Sequence, residues 1–165
     1  MKVIFLDIDG VLATDKEFMT NRTNFRKKYP EAEVLRIPYP FNKGAVKVFN
    51  EILDKTESVI VLSSDWRFHW DLKELDRIFK FNGVVKSPKF ITSKLKRKMS
   101  SDLEDDRAHQ IQEFKRELGL TNWVAIDDLD LSFSLGNHFF KTKSLEGIKQ
   151  IGLKEKIIKK LNDVD

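Results

Sequence analysis

The sequence predicts an α/β fold, a Rossmann-like three-layer sandwich around a central, mainly parallel sheet, and three observations carry that prediction. Short apolar runs alternate along the chain with stretches of helical period. The runs are continuous rather than alternately polar, as in strands buried on both faces. Right-handed crossovers between such strands put all their C-terminal ends on one edge, where ligands of these sheets bind.

Each element follows from its local pattern. "KVIFLD" at 2–7 is the first strand. "NKGAVKVFNEILDK" at 42–55 sets Ala45, Val48, Phe49, Ile52 and Leu53 on one helical face. "SVIVLSS" at 58–64 is a second strand, rich in β-branched residues. Residues 67–81 return to the helical period through Phe68, Leu72, Leu75 and Phe79. "NGVV" at 82–85 and "KFIT" at 89–92 compete for a third strand, with Pro88 limiting both. A helix over 106–118 carries Ile111, Phe114 and Leu118 and stops at Gly119. "WVAIDD" at 123–128 is a fourth strand, "HFFK" at 138–141 a short fifth, and a closing helix runs through Ile157, Ile158 and Leu161.

Residues 14–43 break the rhythm. They contain Pro30, Pro38 and Pro40, have weak periodicity, and form an insertion between the first strand and its helix. Loops of about thirty residues are binding loops, lids or disordered segments. The 165 residues suffice for one domain with a sizeable core, so 1–165 is read as a single domain interrupted by 14–43. With no cysteine, disulfides and thiolate metal sites are excluded. The apolar stretch of "MKVIFLDIDGV" is too short and too early broken by Asp7 for a secretory leader. No segment approaches the roughly 20 apolar residues of a membrane span. The chain is read as cytoplasmic, with no membrane and no obligate protein partner.

"FLDIDGVL" at 5–12 poses the chemical question, because a buried strand carries two carboxylates and ends at a glycine. Unpaired buried carboxylates are costly, and neighbouring ones repel. Strand alternation sets residues i and i+2 on one side, so Asp7 and Asp9 are expected to point together into the crevice. Ser63 and Ser64 end the second strand, and Asp127 and Asp128 the fourth, on the same edge. Acids so placed stay ionised only beside a cation, and an all-oxygen donor set suits Mg²⁺. An EF-hand reading fails, since its first ligand position would be Phe5 and its twelfth Lys16. His69, His109 and His138 show no ligand spacing.

"DIDGV", "VIVLSS" and "VAIDD", in this order and spacing, resemble motifs one, two and four of the haloacid-dehalogenase-like (HAD) phosphohydrolase superfamily. Within it, "SSDWR", "DRAHQIQEFKRELGL" and "SLEGIKQIGLKEKIIKKL" are similar to the small HAD domains associated with RNA-repair proteins. The resemblance implies a HAD-like fold and a Mg²⁺-dependent phosphomonoester hydrolase. Asp7 would be the nucleophile that forms an aspartyl-phosphate. Asp9 would be the general acid and then the base, with its backbone carbonyl also on the metal. Gly10 would let the chain turn away close to the site. Ser63 and the Ser64 N–H would bond the phosphoryl oxygens. Asp7, Asp9, Asp128 and Asp127 make up the implied metal set. Motif three departs from the usual lysine: Arg107, in "DDRAHQI", opens the helix at the required place, with Lys94, Lys96 and Lys98 as upstream alternatives. Trp66 and Arg67 either line the substrate pocket or belong to the core.

Two other classes share these features. A non-catalytic module would keep the acidic pocket for Mg²⁺ or phosphorylated ligands. A receiver-type phosphoacceptor shares sheet and acids, but places its paired acids side by side rather than as Asp-x-Asp. The resemblance also makes 14–43 a small cap-type insertion, which leaves the site open to large substrates. Net charge is only +4, but six basic residues and no acid lie between Lys86 and Lys98, and Arg22 to Lys28 is basic too. These runs extend the expected substrate to a phosphorylated nucleotide or nucleic acid end.

Overall fold

The computed structural model describes residues 1–14, 22–93 and 102–163. Its sheet has five strands in the order β3-β2-β1-β4-β5. They are β1 (Val3–Leu6), β2 (Val59–Leu62), β3 (Phe90–Ile91), β4 (Trp123–Asp127) and β5 (Phe139–Lys141). Every pairing is parallel. The helices are α1 (Arg22–Lys28), α2 (Glu31–Val34), α3 (Lys43–Thr56), α4 (Leu72–Phe81), α5 (Leu103–Glu117), α6 (Ser132–Leu135) and α7 (Leu153–Asn162). No helix among the described residues is long and apolar enough to cross a membrane.

Alternation along the strands builds two cores. Ile4 and Leu6 of β1, with Ile60, Leu62, Val124 and Ile126, face Phe49 and Ile52 of α3 and Ile157 and Leu161 of α7. Val3 and Phe5, with Val61, Trp123 and Ala125, face Ala108 and Ile111 of α5. The described part of the insertion is packed too, with Phe25, Ala32 and Ile37 buried in the first cluster.

Several elements differ from the sequence expectation at their ends. The stretch 67–81 is split: Asp65–Phe68 is a 3₁₀ turn, and α4 starts afresh at Leu72. Asp71 and Glu74 form a reciprocal cap there, each side chain accepting the other's backbone N–H, and that ends the earlier turn. Helix α5 starts at Leu103 because Asp102 accepts from the Glu104 N–H at 2.9 Å. Of the two candidates for the third strand, "KFIT" prevails. At "NGVV" the chain turns instead, through Gly83 at φ 78°, with the Val84 N–H donating to Phe79 O at 3.0 Å.

Only Lys86 and Lys89 of the basic run fall within the described residues, just before β3. Lys86 reaches the Ser58 carbonyl at 3.4 Å, and the Lys89 N–H bonds Ile60 O at 3.0 Å. Both lysines therefore stand where β2 begins, at the sheet edge away from Asp7. These two members of the basic run therefore lie away from the strand ends where the acids gather. Lys94, Lys96, Arg97 and Lys98 lie outside the described residues.

Candidate active site

The C-terminal strand ends bring three sequence motifs together. Asp7 follows β1, Ser63 and Ser64 follow β2, and Asp127 ends β4 with Asp128 next to it. One carboxylate oxygen from each of Asp7, Asp127 and Asp128 lies within 4.8 Å of the others. Asp7 and Asp127 are buried. The Asp7 carboxyl is pushed well above the usual range, first by burial and then by the Asp127 charge, while Arg107 and a Ser64 hydrogen bond pull it down. Burial raises Asp127 as well, against Arg107 and the Leu129 N–H.

Arg107 is the buried counter-cation. Its Nη1 lies 3.1 Å from Asp7 Oδ1 and 3.0 Å from Asp127 Oδ2, and its Nη2 donates to Asp65 Oδ1 at 3.0 Å. Burial works against its charge, but the Asp7 and Asp127 carboxylates outweigh that and hold the guanidinium protonated more firmly than usual. Helix α5 thus delivers the arginine that the sequence singled out, one turn inside its start at Leu103 rather than at its opening. The alternatives Lys94, Lys96 and Lys98 fall outside the described residues.

Asp9 departs from the expectation that it points with Asp7. The strand ends at Leu6, and the chain then coils, with Leu12 and Ala13 both donating to Ile8 O at 2.9 Å. Alternation no longer applies, and the Asp9 carboxylate lies outside the three-acid cluster. Its Oδ1 accepts from the Tyr39 hydroxyl, and its Oδ2 from Trp66 Nε1 at 3.0 Å. Gly10 makes the turn, at φ +71°, and a Cβ there would stand 2.3 Å from Asp128 Oδ2. Thr142 clamps the same turn through the Gly10 carbonyl at 2.8 Å, and Ser144 holds Asp128 Oδ2 at 2.8 Å.

The serines and the aromatic segment are also resolved by geometry. The Ser64 N–H donates to Leu6 O at 3.3 Å, and its hydroxyl bonds Asp7. Ser63 is buried beside it. Trp66 is core and packs against Tyr39, Phe41 and Trp70 while holding Asp9. Arg67 turns its guanidinium inward. It is 2% exposed, and its donors serve the Ser63 and Ser93 carbonyls, Asp65 and Gln110. It ties the ends of β2 and β3 to α5. Tyr39 and Asp65 are the partners that motif reading passed over. Asp65 lies inside "SSDWR" and was open to notice, whereas nothing local marks Tyr39.

An all-parallel sheet with Asp-x-Asp after β1, serines after β2, an arginine early in α5 and paired acids after β4 defines a HAD-like domain. The chain belongs to the family described as the HAD domain in Swiss Army Knife RNA repair proteins, whose model matches residues 3–151. No curated protein and no solved structure matches the chain.

Proposed function

We propose that this domain is a Mg²⁺-dependent phosphatase that hydrolyses a phosphomonoester through an aspartyl-phosphate on Asp7. One observation carries the reading: Asp7 stands within one cluster with Asp127, Asp128 and the Arg107 guanidinium, and Asp9 lies just outside it. Monoester hydrolysis is among the slowest reactions in water, so a nucleophile, a charge-stabilising group and a proton donor are all required.

The metal fit rests on the donor set. Three carboxylates within 4.8 Å offer only hard oxygen ligands, and Arg107, which alone among the described arginines is ion-paired with them, leaves their charge under-compensated. Mg²⁺ held by Asp7, Asp127 and Asp128 would supply the positive charge that keeps these acids ionised and offsets charge on the phosphoryl oxygens. The protein's own groups do the rest. An Asp7 oxygen attacks phosphorus as the bond to the leaving oxygen breaks, and that oxygen takes its proton from Asp9. Asp9 then removes a proton from the water that attacks the aspartyl-phosphate, which regenerates Asp7. Arg107 stabilises phosphoryl charge, and the Ser64 hydroxyl orients Asp7.

The substrate reading is a phosphate at the end of a nucleotide or nucleic acid strand, supported by Arg26, Lys27 and Lys28 in the last turn of α1. The test is turnover of a fluorogenic phosphate by wild type and Asp7→Asn, with and without Mg²⁺. Metal-dependent release lost in Asp7→Asn supports the reading. Metal binding without release would favour a binding module instead.

A further inference from the structure

Beyond Asp9 the site opens into a cavity of about 610 Å³, within the range of small-molecule sites. The segment after β2 gives it a graded aromatic wall. Trp66 holds Asp9 and is 3% exposed. Trp70 packs on Trp66 at 4.8 Å between ring centroids and is half-buried. His69 packs edge-on against Trp70 and is exposed. The ring nearest Asp9 is therefore fixed in the core, and the outer ones are open. The insertion contributes Arg26, Glu33 and Arg36 to the same cavity. Arg36 pairs with Glu74 at 3.2 Å, whereas Arg26 has no ion pair among the described residues.

We infer that this cavity receives the leaving group, and that the leaving group is a nucleoside continuing into a strand, its base against Trp70 and its adjoining phosphodiester on Arg26. The inference rests on the proposed phosphatase reading, in which Asp9 protonates the leaving oxygen. The group attached to that oxygen must then stand on the Asp9 side, where the cavity lies. Flat aromatic faces accept any base, and an arginine fork suits a phosphodiester. The charges also fit a monoanion rather than a second dianion. Arg26 and Arg36 face Glu33 and Asp65 in the same lining, beside Asp9 itself. Glu33 offers an acceptor for ribose hydroxyls.

The experiment compares kcat/KM for acetyl phosphate, a sugar phosphate, a nucleoside monophosphate and a dinucleotide with the same terminal phosphate. Acetyl phosphate reports attack by Asp7 with a leaving group that neither needs Asp9 nor fills the cavity. Trp70→Leu is expected to lower the dinucleotide-to-acetyl-phosphate ratio about tenfold, the size of one stacked base, and Trp70→Phe to keep most of it. Arg26→Gln should lower the ratio for the dinucleotide but not for the mononucleotide. An unchanged ratio in Trp70→Leu, or a preference for the sugar phosphate, overturns the inference while leaving the phosphatase reading intact. If no phosphate ester or acetyl phosphate turns over, the phosphatase reading fails. Dinucleotide binding to the full chain, followed by tryptophan fluorescence, then decides the cavity's role. Saturable quenching that is weakened in both Trp70→Leu and Arg26→Gln supports it, and no quenching overturns it.

Discussion

Arg107 Nη1 stands 3.1 Å from Asp7 Oδ1, and both side chains are at most 5% exposed. Removing the arginine leaves a buried carboxylate uncompensated, at a cost of about 3–5 kcal/mol, whereas without the Asp7 charge Arg107 still has Asp127 and Asp65. The loss of the arginine is compounded, because Asp127 leans on the same guanidinium. Arg107→Ala is expected to lose about two to three orders of magnitude in kcat and to unfold at lower denaturant. Arg107→Lys keeps the charge but not the fork that spans Asp7, Asp127 and Asp65, so it should recover stability more than rate. Chemical denaturation and steady-state kinetics on the two variants check this. Full activity in Arg107→Ala would move the motif-three role to the lysines at 94, 96 and 98.

The Asp7 carboxyl predicts a pH signature for the metal-free protein. Its folded pKa is raised by burial and by Asp127, so between the unfolded and the folded pKa unfolding releases a proton from this group. Its stability contribution is present at about pH 4 and below, and is lost as pH rises through the folded pKa. Asp7→Asn should therefore be more stable than wild type at neutral pH without metal, and the gap should close on acidification. Asp130, lowered to about 2 by Ser132 and Lys141, titrates in the opposite sense but is common to both proteins. Mg²⁺ at a hundred times its Kd adds about 2.7 kcal/mol, a rise of about 5–10 °C in Tm for a domain of this size. Asp7→Asn should forfeit most of that rise in a thermal melt.

Gly10 allows a geometric test of Asp128. Alanine there would put Cβ 2.3 Å from Asp128 Oδ2 in a left-handed backbone, so both the turn and the acid must shift. Gly119 shares the left-handed backbone, at φ +59°, but a Cβ there meets nothing within 4 Å. Both alanine variants should lose about 1–3 kcal/mol. Only Gly10→Ala should also weaken Mg²⁺ binding and turnover, as read by metal titration and kinetics.

How far the sequence reached depended on the range of each interaction. "KVIFLD", "VIVLSS" and "WVAIDD" are strands because their residues are apolar in unbroken runs, a local property. Arg107 was legible because it lies near the start of the helix that feeds β4, and the fold then carries it to Asp7. Asp9 was misdirected by extending strand alternation one step past Leu6, where the chain already coils around the Ile8 carbonyl. Tyr39 was invisible, since its bond to Asp9 spans 30 residues of a proline-containing insertion with weak periodicity. Lys86 and Lys89 adjoin the basic residues at 94–98 in sequence, yet they stand where β2 begins, at the edge away from Asp7.

Tyr39 and Trp66 donate to the two oxygens of Asp9, which fixes that carboxylate beside the site. Asp9→Asn should slow both phosphoryl transfer to Asp7 and hydrolysis of the intermediate, most for poor leaving groups. Tyr39→Phe retains the acid but loosens it, so its defect should be smaller and likewise grow with leaving-group pKa. The measurement is a leaving-group series for wild type and both variants. Parallel lines for all three would remove Asp9 from proton transfer.

The basic surface of the insertion makes a last prediction about strand ends. Arg26, Lys27 and Lys28 follow one another in the last turn of α1, and Arg26 reaches the cavity beside Asp9. Binding that neutralises strand phosphates releases counterions, with a log–log salt slope of about −0.7 per phosphate on a single strand. A strand held by two phosphates beyond the terminal one should therefore give kcat/KM a slope steeper by about 1.4 than its terminal mononucleotide. Lys27→Ala with Lys28→Ala should flatten the oligonucleotide slope and leave the mononucleotide's alone. Lys86→Ala with Lys89→Ala, at the opposite sheet edge, should change neither. The salt titration of kcat/KM for both substrates and both double variants decides it. Equal slopes for oligonucleotide and mononucleotide would make α1 an ordinary solvated surface and turn the search to small phosphorylated metabolites.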